Sequence, residues 1–253
     1  MSDFDESFLR RRFCDLSGQA ESGGYYTYSD FLSPAEQALL LQMKREGLVA
    51  SVSLSGGFAS AERKLAAFGS EEEFGYPPVF PAVWIGIAPK DRKFAEPLTH
   101  RDFLGSLIGL GIGREVLGDI LLHDGEGHLF AGEKIAPYIV GNLEKVRCTA
   151  VICRIEDAPP AVVTLPPDAE ERVAAGERLD ALVAAVFSLS RSESARLIER
   201  GLVALDGRPA EKLSASPNPG TMVSVRGFGR FLYEGIVGDT RKGRLRVRVR
   251  IYR

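Results

Sequence analysis

Cysteine is scarce in this chain of 253 residues: Cys14, Cys148 and Cys153 form an odd set without a CxxC pair. That spacing excludes a disulfide framework and a cysteine zinc site, and it fits a reducing compartment in which all three are small buried thiols. Histidine is equally sparse, and His123 and His128 bracket a turn with no third ligand near them, so no metal centre is expected. No run of about 18 apolar residues occurs. Met1 to Phe13 mixes Asp3, Asp5 and Glu6 with Arg10, Arg11 and Arg12 instead of joining a basic end to an apolar stretch. Neither membrane insertion nor secretion is expected, and the expected compartment is the cytoplasm. A phosphate-binding glycine loop is missing too, because Gly109, Gly111 and Gly113 follow a helical segment where a strand is required. This disfavours a nucleotide-dependent enzyme and a methyltransferase, and no cofactor is expected. Thr99-His100-Arg101-Asp102 is not a kinase loop, since Leu107 stands where asparagine is needed.

What is present is an uneven charge. The formal net charge is -2. Residues 174–253 hold 15 Lys and Arg against 8 Asp and Glu, a net +7, which leaves 17 against 26, a net -9, for residues 1–173. A basic module joined to an acidic body points to a polyanionic partner.

The pattern along the chain predicts an α+β protein. The first thirty residues carry no decisive signal. Ser33-Pro34-Ala35-Glu36 is a capping box with proline at the first helical position, predicting a helix to about Glu46 ended by Gly47. Val49 to Leu54 reads as a strand, Gly56-Gly57 as a turn and Ser60 to Phe68 as a second helix, so residues 1–76 form a small α/β domain. Residues 77–157 follow as strand (Ala82 to Ala88, with the only tryptophan, Trp84), helix (from Thr99), strand (Gly118 to His123), strand (His128 to Ala131), helix (Ile135 to Val146) and strand (Thr149 to Ile155). Asp124-Gly125-Glu126-Gly127 marks the hairpin turn. This βαββαβ order is that of the ferredoxin-like (RRM-like) sandwich, a scaffold with many uses. Residues 158–176, with four prolines and little periodicity, read as a semi-rigid linker. Residues 177–253 make the basic module.

In that module Leu179, Leu182, Val183, Val186 and Phe187 recur at helical spacing. Ser190-Arg191-Ser192-Glu193 opens a second helix with another capping box, ended by Gly201. Ala195 and Ile198 are expected to face inward, with Arg196 and Arg200 on the opposite side. Val203 to Leu205 enters a hairpin through Asp206-Gly207, with Met222 to Val225 as its partner. In the last strand Arg244, Arg246, Arg248 and Arg250 alternate with Leu245, Val247, Val249 and Ile251, giving one apolar face and one row of arginines about 7 Å apart. This is either a nucleic-acid surface or a charged edge strand protected from aggregation. Arg226, Arg230, Arg241 and Lys242 in adjoining loops would extend the patch.

Arg178-Leu179-Asp180, Ser190-Arg191, Ala195, Leu197-Ile198, Gly201, Val203, Gly207 and Lys212 closely resemble the αL RNA-binding domain of the small-subunit ribosomal protein type. Asp206 and Thr221 depart from that family's usual asparagine and aspartate, both at turns. The resemblance implies RNA contact through the basic helix face and nearby loop, which by position are Arg191, Arg196, Arg200 and Lys212, and Arg178 and Ser190 are expected RNA contacts as well. The segment PLTHRDFLGSLIGLGIGREVLGDILLHD, from Pro97 to Asp124, together with this C-terminal domain, resembles the bacterial YlmH-like family. That resemblance implies a non-catalytic, ribosome-associated quality-control factor whose partners are large-subunit ribosomal RNA, tRNA and the large ribosomal subunit itself. His100 and Arg101 are either RNA contacts or the exposed start of a helix capped by Thr99 and Asp102. Two other functions stay open: an RNA-modifying enzyme, because Arg178-Leu179-Asp180 resembles the catalytic triplet of pseudouridine synthases, and a cell-division or assembly adaptor.

Overall fold

The computed structural model describes residues 6–49, 51–241 and 243–252. The chain forms two compact units, Met1–Leu165 and Pro166–Arg253. Among the described residues no helix is long and apolar enough to cross a membrane.

The first unit opens with α1 (Glu6–Gly23), β1 (Thr27–Tyr28), α2 (Pro34–Arg45), β2 (Val52–Ser55), β3 (Leu65–Phe68) and α3 (Glu71–Phe74). The opening helix has no clear sequence signal, yet it buries Phe13, Leu16, Ser17 and Ala20 at helical spacing. α2 starts as expected, with the Ser33 amide donating to Glu36 Oε2 at 2.6 Å and the Glu36 amide to Ser33 Oγ at 3.4 Å. The expected helix over Ser60 to Phe68 is absent. Leu65 to Phe68 are instead the fully buried central strand of a sheet ordered β1-β3-β2. A short, wholly apolar run has no period to separate helix from strand, and burial on both faces favours the strand.

The unit continues with β4 (Ala82–Pro89), α4 (His100–Gly109), β5 (Leu117–His123), β6 (Glu126–Gly132), α5 (Ala136–Asn142), β7 (Lys145–Val146), β8 (Thr149–Glu156) and α6 (Ala161–Thr164). The sheet is antiparallel throughout, in the order β5-β6-β4-β8-β7. Two boundaries differ from expectation. The hairpin turn is only Asp124-Gly125, both with positive φ (47° and 78°), and α5 ends at Asn142 so that Lys145–Val146 pair with β8. One sheet face, carrying Ile85, Ile87, Leu129, Ala131 and Val151, packs on Phe103 and Leu107 of α4 and on Ile139 of α5. On the other face Trp84 and Phe130 join Phe31 and Leu65 from the first layer in a second core, with Phe31 and Phe130 edge to face at 5.8 Å. The large aromatics of this face are therefore spent on internal packing. Polar bonds lock the same junction. Arg63 donates to the carbonyls of Phe31, Leu117 and Arg114 at 2.7, 2.8 and 2.9 Å, and Asp119 accepts from the amides of Glu62 and Arg63 at 2.6 and 3.1 Å.

The second unit comprises β9 (Ala169–Ala174), α7 (Leu179–Phe187), α8 (Arg191–Glu199), β10 (Val203–Leu205), β11 (Arg208–Pro209), β12 (Met222–Val225), β13 (Gly229–Asp239) and β14 (Leu245–Tyr252). Its sheet runs β11-β10-β12-β13-β14-β9, with α7 and Ile198 of α8 packed on Val223, Phe231, Val247 and Val249. Residues 158–176 are thus not a linker. They hold α6 and, across the unit boundary, β9, whose charged residues Glu170, Glu171 and Arg172 conceal a strand that exists because β14 pairs with it. Including Pro166 to Val173 changes the count for this unit to 16 basic against 11 acidic residues, a net +5, and leaves 16 against 23, a net -7, for the other. β14 is accordingly not an edge strand. It lies between β13 and β9.

Of the three cysteines only Cys153 is buried, and burial pushes its thiol up to about 11. Cys14 and Cys148 are exposed, contrary to the expectation of three buried thiols, Cys14 on the solvent side of α1 and Cys148 in the turn between β7 and β8.

Candidate nucleic-acid interface

The basic residues of the second unit fall into three groups. The first surrounds the start of α7. Arg178 is its N-cap, and Asp180, in the first turn, is only 5% exposed. Arg178 Nε donates to Asp180 Oδ1 at 3.2 Å, and Arg191 Nη2, from the first residue of α8, donates to Asp180 Oδ2 at 2.6 Å. Burial pushes the Asp180 carboxyl up, but the Arg191 hydrogen bond and the charges of Arg191 and Arg178 outweigh it and hold the group below its ordinary value. The first-turn amides of Leu179 and Asp180 donate to the carbonyls of Ala215 and Leu213 at 2.7 and 3.4 Å, which brings the loop carrying exposed Lys212 alongside the same helix start. Ser190 is occupied as a cap: its amide donates to Glu193 Oε2 at 2.8 Å and its Oγ accepts from the Glu193 amide at 3.2 Å. It fixes where α8 begins and so where Arg191 emerges.

The second group follows α8. Ser194, at 0% exposure, and Ile198 form the inward face, while Ala195, expected there, is only half-buried; the small serine packs closer than the spacing of apolar residues alone indicates. Arg196 and Arg200 are exposed as expected. The Arg226 amide donates to the Leu202 carbonyl at 2.8 Å, tying the β12–β13 turn to the end of α8, and Phe228 in that turn packs against Phe187 at 5.9 Å.

The third group is the outer sheet face. Val247, Val249 and Ile251 point into the core, and Arg246, Arg248 and Arg250 point away from it, as their alternation predicts. Their partners are not legible in the sequence. Arg250 donates to Glu234 Oε1 at 2.5 Å and to the Pro167 carbonyl at 2.9 Å, and Arg246 lies 3.6 Å from Glu171. Arg230 lies over the Tyr252 ring, 5.0 Å from its centroid. Arg244 and Arg241 are exposed at the β13–β14 connection, and Lys242 lies outside the described residues. Gly235 and Gly238 face Arg248 and Arg246 in register, at two β-bulges with φ of 115° and 156°, so no side chain rises beside those arginines from these two positions of β13.

His100 and Arg101 belong to the first unit and are exposed on the first turn of α4. Thr99 and Asp102 close the cap there: the Thr99 amide and hydroxyl both donate to Asp102 Oδ2, at 2.8 and 2.7 Å. Arg147, in the left-handed region at φ 53°, sits 3.7 Å from Asp102 and adds a cation that spacing gives no reason to expect.

Known proteins resemble this chain in two stretches and over most of its length. A family model described as a putative RNA-binding domain in YlmH matches residues 88–158, and the S4 domain matches residues 177–223. The ribosome-associated protein quality control protein P2 of Bacillus subtilis (strain 168) is 30% identical over 220 residues, covering 87% of this chain and 84% of the relative. The solved structure of the cell division protein ylmH from Streptococcus pneumoniae aligns with a TM-score of 0.48 at 22% identity, covering 62% of this chain and 93% of that one. With an S4 domain behind a YlmH-type RNA-binding domain, and a relative alike over most of both lengths, the chain belongs to the YlmH family.

Proposed function

We propose that this protein is a non-catalytic RNA-binding factor that engages the large ribosomal subunit, through ribosomal RNA and peptidyl-tRNA, in quality control of stalled nascent chains in the cytoplasm. The observation carrying this reading is the convergence of Arg178, Arg191 and Lys212 at the start of α7 within the S4 domain. Guanidinium groups bind phosphate bidentately, and neutralising several phosphates releases counterions. Arg196, Arg200 and Arg226 extend the contact along α8, and Arg230, Arg244, Arg246, Arg248 and Arg250 form a second, partly neutralised surface. In the first unit, βαββαβ strands in the order second-third-first-fourth support a ferredoxin-like RNA-binding scaffold, with His100 and Arg101 as its contacts. Trp84 and Phe130 being covered favours its loops and helix ends over base stacking on the sheet. The name of the Bacillus subtilis relative supports the ribosomal setting. Asp180, which an RNA-modifying reading would make catalytic, is engaged by two arginines, and this favours binding over chemistry.

The test is recovery of the tagged chain from salt-washed lysate, with large-subunit RNA and tRNA as the expected co-purifying species. Charge reversal at Arg191 and Arg196 should abolish that recovery while the fold is kept. Unchanged recovery in the double variant would refute the site, and recovery of division proteins without RNA would refute the function.

A further inference from the structure

The acidic residue at the centre of the basic group is out of place on charge alone. A carboxylate inside a surface that binds phosphate repels the ligand, and here it also sits nearly buried, with its side chain only 7% exposed. Its two arginine partners are not buried with it: the Arg178 and Arg191 side chains remain 51% and 55% exposed. Each therefore has an anchored end and a solvent end. The anchor joins separate elements, because Arg178 caps α7 and Arg191 begins α8. A guanidinium has five N–H donors in a rigid planar fork, so the single Arg191 Nη2 bond to Asp180 anchors one edge of the group and leaves other donors for an anion.

We propose that Asp180 is a positioning residue for RNA phosphate: it holds Arg178 and Arg191 in a fixed orientation, so that one phosphate group meets two preset guanidinium edges. The inference rests on the RNA-binding reading and adds to it a residue whose own charge opposes binding. Ordering two long side chains before the ligand arrives removes an entropic cost otherwise met during association. Removing the carboxylate then has opposite consequences under the two views. If charge alone governs, Asp180→Asn strengthens binding; if orientation governs, it weakens binding by about tenfold.

The experiment uses the full chain and protein-free large-subunit ribosomal RNA, with affinity measured across a salt series. Asp180→Asn is expected to bind about tenfold more weakly, with a log–log salt slope shallower by roughly 0.7–0.9 for each phosphate the variant no longer reaches. Arg191→Lys, which keeps the charge and removes the fork, should show a similar weakening. Asp180→Asn added to Arg191→Lys should then cost much less than it does alone. Parental or tighter binding by a folded Asp180→Asn chain overturns the proposal. If that variant does not fold, parental affinity in Arg191→Lys overturns it instead. Charge reversal at Arg191 and Arg196 separates the two levels: no loss there sinks the RNA site itself, whereas loss there with none in Asp180→Asn sinks only the role of Asp180.

Discussion

A buried carboxylate shared by two arginines makes stability depend on pH in a definite direction. Because the folded Asp180 value lies below that of the unfolded chain, its contribution is present above the ordinary aspartate value of about 3.9 and is lost as pH falls through the folded value. Urea midpoints measured from about pH 6 down to about pH 3 should therefore drop at the acid end, and Asp180→Asn should flatten part of that drop. Ser190 makes a second residue-scale case. Its cap on α8 is closed from both sides, so Ser190→Ala should destabilise the protein by about 1 kcal/mol in chemical denaturation, and Ser190→Asp by much less. The cysteines offer a third. Cys14 and Cys148 should react with a thiol reagent in the native protein, whereas Cys153, buried and raised to about 11, should react only on unfolding.

Elements that carry their own local signal are legible in the sequence. The capping boxes at Ser33 and Ser190, the apolar spacing of α7 and the strict alternation in β14 all depend on neighbours along the chain, and all four elements are present. β9 and β13 escape such reading, for opposite reasons. β9 is rich in charge and is a strand only because β14 lies beside it, while β13 is interrupted by Gly235 and Gly238 at its bulges. With those two strands unread, the partners of Arg246 and Arg250 stay hidden, since Glu171 and Glu234 sit on them. The arginines are legible as outward-facing; what they touch is not. Phe231, fully buried between α7 and the sheet, tests the element packing: Phe231→Ala should cost about 3–5 kcal/mol by urea denaturation.

Across the whole molecule, a net -7 unit and a net +5 unit share one chain. RNA affinity should accordingly be strongly salt-dependent despite the near-neutral total. If about five phosphates are contacted, log affinity should fall against log salt with a slope of roughly -4, and a slope near zero in a binding titration would exclude the electrostatic mechanism. The pairing of β9 with β14 also carries a kinetic consequence. Leu245 pairs with Ala174 and Arg250 with Ala169, so the strand that opens the second unit finds its neighbour in the strand that closes it. Such non-local pairing raises contact order and slows folding, because a long loop must close before any contact rewards it. On a translating ribosome the opening strand emerges early and waits, its run of charges at Glu170, Glu171 and Arg172 keeping it from pairing with other chains, until the arginine strand arrives to complete the sheet.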